Sequence, residues 1–169
     1  LAELGRAKPA IARVPGTAVF LSPGKETTPL ALRAEVEHNH VLQDKVVIVS
    51  LDAVGIPQVP PRERFAVQTL GSGRCKVTHL TVRVGYQDSL KVPHQLALAR
   101  KHGFLERNLD LENASYFLSR ITITPEENGT MPPWRKALFM AMARNAASPI
   151  DHFGLPWSKT VEMGSQVPL

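Results

Sequence analysis

A single cysteine, Cys75, occurs in 169 residues, so no internal disulfide can form and a reducing compartment is the simpler setting. No apolar run approaches the roughly 18 residues that a membrane-spanning helix needs. The opening LAELGRAKPA has no apolar core of the kind a secretion signal carries. Charge of one sign is not blocked: 20 Lys and Arg against 15 Asp and Glu give a formal net charge of +5, spread along the chain. That excess suits a phosphate-bearing ligand or an anionic membrane surface without requiring either, and it reads first as solvated surface. No nucleic-acid polymer is expected as a partner. There are no internal repeats, and one domain is the expectation for this length.

What is present is an alternation of strands and helices. GTAVFLS (16–22) is a short apolar run closed by Pro23-Gly24, as expected for a buried strand. Thr28 before Pro29 reads as an N-cap with proline opening a helix over 29–40, on which Leu32, Val36 and Asn39 share the buried face. KVVIVSL (45–51) has the near-continuous apolar character of a strand covered on both sides. Strand, helix and strand predict a βαβ unit. GIPQVPPRERF reads as a loop. FAVQTL and CKVTHLTVRVGY, on either side of Gly71-Ser72-Gly73, read as a β-hairpin in which Val77, His79, Thr81 and Arg83 share one face. VPHQLALARKHGF predicts a helix ended by Gly103, and ASYFLSRITI (114–123) a further strand. Trp134, Ala137, Leu138, Ala141 and Met142 have helical spacing, and TVEMGSQVPL supplies a last edge strand. The fold class is α/β: a mixed sheet with a βαβ start, an inserted β-hairpin and helices packed on the sheet. Residues 1–13 read as a linker and 14–169 as the domain.

Nothing among the chemistry-bearing residues argues for catalysis. His38 and His40 are two apart, which on a helix turns them about 200° from each other, so they are not expected to share a metal. Pro-Gly-Lys-Glu at 23–26 resembles the end of a phosphate loop, but Val19 stands where that motif needs glycine and Glu26 where it needs Ser or Thr. No G-x-S-x-G elbow occurs, and no cofactor is implied. What remains is position. In open α/β sheets, ligands sit beyond the C-terminal ends of parallel strands. That places Ser22, Gly24, Lys25, Thr27 and Thr28 after the first strand, beside Asp52 and Ala53 just beyond the second, as candidate ligands for an anionic nucleotide if the domain senses anything. The same residues equally suit ordinary turns.

Four blocks in order, RVPGTAVFLS, HNHVLQDKVVIVSLD, RNAASPIDHFGLP and VEMGSQVPL, resemble the C-terminal cytosolic region of bacterial KUP/HAK/KT potassium-uptake transporters. The resemblance runs from Arg13 to the last residue. His40 stands where a lysine is common in that family and Gln43 where a histidine is usual, and the chain closes on Val-Pro-Leu rather than Val-Glu-Ile. It implies a tail that follows a transmembrane core, the tail's own partner, on the cytoplasmic face of the membrane in a K+/H+ symporter. The tail would be a regulatory module for a nucleotide such as cyclic di-AMP or an adenine nucleotide, or a ligand-free platform that forms homodimers. An enzyme is not expected.

Overall fold

The computed structural model describes residues 11–22, 24, 27–71, 76–124, 135 and 148–168. Six strands form one sheet: β1 (Ala12–Ser22), β2 (Val41–Ala53), β3 (Phe65–Leu70), β4 (Val77–Val84), β5 (Ser115–Thr124) and β6 (Thr160–Pro168), in the spatial order β3-β4-β2-β1-β5-β6. All neighbours are parallel except the β3–β4 hairpin, which pairs Leu70 with Val77 and Phe65 with Val82. The mixed α/β sheet, its βαβ start and its hairpin are therefore as the sequence indicates. The Trp134 segment lies outside the described residues, apart from the helical Arg135.

Both faces of the sheet are covered, which is why its central strands are apolar throughout. On one face Ala18, Phe20, Val46, Ile48, Val77 and Phe117 pack against Ala31, Leu32 and Val36. There Phe20 and Phe117 stack with ring centroids 4.7 Å apart. The alternate residues Val19, Leu21, Val47, Val49, Leu80, Val82, Tyr116 and Leu118 meet Val92, Leu96 and Ala99 of α3 (Val92–Lys101), together with Leu105, Leu109, Ile150 and Leu155. The hairpin strand alternates as its sequence predicts: His79 belongs to the first face, Leu80 and Val82 to the second.

Helix ends depart from the sequence reading in instructive ways. The first helix, α1, spans Leu30–Ala34 and continues as a π-wound turn over Glu35–Asn39. Pro29 is its N-cap, not Thr28, and no side chain of its own caps it. The wider π turn shifts the helical phase, so Asn39 is exposed rather than buried, and its Nδ2 donates to Glu35 Oε2 at 2.8 Å. His40 then takes the left-handed conformation (φ 52°), ending the helix. The segment 55–65, read as a loop, contains one short helix, α2 (Pro61–Arg64). α3 ends as expected at Gly103 (φ 79°): Gly103 N–H donates to Arg100 O and Phe104 N–H to Ala99 O, the paired bonds that satisfy a helix's last carbonyls. A further helix among the described residues, α4, is Pro149–His152.

Two local devices set the strand ends. Between Val14 and Thr17 the β1–β2 register slips, with Gly16 at φ 128°, so Val-Pro-Gly forms a bulge. At the other end a buried ion pair fastens two loops. Asp88 Oδ2 accepts the amides of Val59 and Gly85, both at 2.9 Å, and Oδ1 accepts Arg64 Nη2 at 2.6 Å. Arg64 Nη2 also donates to Val59 O at 2.7 Å. The loops lie so close that a Cβ on Gly85 would fall 2.5 Å from Ile56 O.

Candidate functional site

β1 feeds α1 and then β2 on one side, whereas β5 on its other side leads on to β6, so the order of connection reverses between β1 and β5. Such a reversal leaves the crevice that α/β sheets use for ligands. The structure brings Ser22, Gly24 and Thr27 together there and adds residues that the sequence reading passed over. Ser22 Oγ lies 2.9 Å from both Gly24 O and Thr27 O. Ser50, opposite Ser22 in the register, places its Oγ 3.0 Å from Gly24 O and 2.8 Å from His79 Nε2.

One arrangement of protons satisfies every group in this network. Each hydroxyl has one proton, and each of the two loop carbonyls is given a donor only if Ser22 donates to Thr27 O and Ser50 to Gly24 O. In that arrangement His79 Nε2–H donates to Ser50 Oγ, the Nε2–H tautomer. Serine and histidine in contact would suggest a nucleophile and its base, but in this arrangement the histidine donates to the serine, and both groups are buried, 1% and 5% exposed. The pair fastens a loop. Burial holds the His79 pKa below its ordinary value of 6.5. The unfolded chain therefore takes up a proton first as pH falls. Full stability is expected above about pH 6.5, with a loss that grows from there down to the folded value. His79→Gln, which can donate the same bond, should flatten that part of the pH–stability curve in thermal melts.

The remaining candidates are less gathered. Thr28, like Thr27, is exposed, and Lys25 lies outside the described residues. Asp52 and Ala53 are not beyond β2 but its last two residues. Asp52 Oδ2 stands 3.9 Å from Arg83 Nε on β4, a half-exposed pair of small energetic weight.

Beside this network is a chamber of about 380 Å³. Its walls are Leu21, Val49 and Leu51 near the ends of β1 and β2 and Leu118 within β5, with Leu30 from α1 and Pro149 and Phe153 around α4. Ser22 and Ser119 are the polar residues among the described lining. Ser119 Oγ accepts the Ala31 amide at 2.9 Å, doing from β5 the capping that α1's own sequence does not. The signal for Ser50, His79 and Ser119 was available: each is a polar residue directly beside a buried valine or leucine of its own strand.

At the opposite end of the sheet a small cleft of about 90 Å³ is lined by Asp44, Lys45, Lys76 and Glu106. Its charges answer one another: Lys76 Nζ donates to Glu106 Oε1 at 2.7 Å, which together with Lys45 holds the Glu106 carboxyl below its usual range. Among the described residues there is no group of three or more His, Cys, Asp or Glu placed to hold a metal. His40 Nδ1 lies 3.1 Å from Val36 O. No helix among them is long and apolar enough to cross a membrane.

A two-faced α/β sheet with its crevice at β1 and β5 defines a domain class but no activity. The family described as K+ potassium transporter C-terminal domain matches residues 15–169, and the chain belongs to it. It is 44% identical over 160 residues to a probable potassium transport system protein Kup of Rhodococcus jostii, covering 95% of this chain and 24% of that protein. Similar proteins of the same description occur in Paramagnetospirillum magneticum (38% over 159 residues, 94% and 24%) and Rhizobium rhizogenes (36% over 156 residues, 92% and 24%). The chain thus spans about a quarter of the length of these relatives. No solved structure matches it.

Proposed function

We propose that this domain is the regulatory tail of a potassium-uptake transporter, a K+/H+ symporter, held at the cytoplasmic face of the membrane beside its own transmembrane core. The reading rests on family membership together with one structural observation: the loop after β1 is fastened at the crevice by Ser22, Ser50 and His79 through its own carbonyls. A loop held from beneath leaves the exposed Thr27 and Thr28 turned toward solvent, with Lys25 beside them in sequence, available to an anionic nucleotide such as cyclic di-AMP or an adenine nucleotide. Isothermal titration with cyclic di-AMP, ATP and AMP is expected to give heat from at least one, weakened by added salt and by Lys25→Ala. No heat from any of the three, or binding indifferent to Lys25, returns the loop to a purely structural role.

The second reading is a ligand-free platform. Its support is that β3 and β6 are the sheet's edges, and an unpaired edge is a template for a second copy. Mass measured across a concentration series separates the two, since only the platform predicts dimers without nucleotide.

A further inference from the structure

The chamber at the switch point has a chemistry unlike that of the loop beside it. We propose that it is a binding site for a small, uncharged, largely apolar molecule that presents one hydrogen-bond acceptor to Ser119. Volume is the first support: about 380 Å³ falls within the roughly 300–1,000 Å³ of small-molecule sites, and it lies where open α/β sheets place them. The lining is the second. Leu21, Val49, Leu51, Leu118 and Phe153 form an apolar wall, and no charged side chain among the described residues lines it, so an anion entering would lose its hydration without compensation.

The third support is a spare proton. Ser119 Oγ receives the Ala31 amide, which orients the hydroxyl, yet among the described residues its own proton meets no acceptor. Ser22 is different: its proton is committed to the loop carbonyls. The chamber therefore offers one fixed donor in an apolar surround, which selects a ligand with a single carbonyl, ether or ring nitrogen on a hydrocarbon body. Such a ligand would touch α1 through Leu30, the ends of β1 and β2, the middle of β5, and the turn after α4 through Phe153. Occupancy would tie three separate parts of the chain together.

Isoquinoline is a suitable probe: an apolar body with one ring nitrogen, unprotonated in mildly alkaline buffer. Amide chemical shifts of the 169-residue chain, followed during titration, should move at Leu30, Ser119 and Phe153 and not at the Lys45–Lys76 end. Ser119→Ala should weaken binding roughly three- to tenfold, the value of one hydrogen bond. Naphthalene, which lacks the acceptor, should bind wild type and Ser119→Ala alike. Leu51→Phe, at a partly exposed strand end, should fill the chamber and abolish binding while leaving the spectrum folded. Lys25→Ala should have no effect, which keeps this site separate from the nucleotide reading. The proposal is overturned if isoquinoline moves no chamber amide, if Leu51→Phe binds as wild type does, or if Ser119→Ala fails to distinguish isoquinoline from naphthalene.

Discussion

Val47→Asp leaves the chain without a cooperative thermal transition at room temperature. Val47 is 1% exposed on β2, between Val19 of β1 and Thr78 of β4, and belongs to the core that α3 covers. A carboxylate placed there meets hydrocarbon, and its escape is to take up a proton or to push the strand out of the sheet. The cost is several kcal/mol against the ~5–15 kcal/mol that holds a typical domain together. Val47→Ala serves as the comparison, since it loses only packing. It should melt lower but cooperatively, by circular dichroism or calorimetry. An unchanged melting temperature in Val47→Asp would place Val47 outside the core.

Asp88→Ala should be the costliest change outside the two apolar layers, at about 3–5 kcal/mol, because it strands Arg64 in a nearly buried position. The side chains of Arg64 and Asp88 are only 14% and 6% exposed, and the same carboxylate holds the amides of Val59 and Gly85. Burial pushes the Asp88 pKa up, but these amides and the Arg64 guanidinium outweigh it and hold the carboxyl below its usual value. Its stabilisation is therefore complete above the ordinary carboxylate range and is lost as pH falls through the lowered folded value. Chemical denaturation at neutral pH should show the full difference between wild type and Asp88→Ala, narrowing in strong acid. Equal midpoints at neutral pH would mean the clamp contributes nothing to folding.

Much of this sheet was legible because its strands are covered on both faces and its hairpin on alternate residues. VVIVSL and the Val77–Val84 alternation left little choice of period or direction. The edge position of β6 also followed from its sequence. Apart from α2, missed inside the segment 55–65, the errors were at ends. Asn39 was assigned to a buried face by counting 3.6 residues per turn, and one π turn shifted it into solvent. Thr28 had the composition of a cap, but α1 is capped by Ser119, nearly ninety positions away in sequence. No local pattern carries that information. For the same reason the candidate site was only half legible: strand ends could be placed from the sequence, whereas the Ser50–His79 pairing needs the register between β2 and β4.

The position of β1 has a mechanical consequence. It lies inside the sheet, parallel to β2 along its length and to β5 over Ala18–Phe20, and the chain enters it at Ile11. A pull on that end acts along the strand axis, so it loads both ladders in shear and engages many hydrogen bonds at once, whereas a pull across an edge would unzip them singly. The bulge at Pro15-Gly16 divides that load. The three pairs from Ala12 to Val14 lie outside it and should slip first, taking up strain before it reaches the buried stretch from Thr17 to Ser22. Tension transmitted along the chain would thus be blunted near Gly16, and the loop fastened by Ser22 would be insulated from small displacements at the far end of the strand.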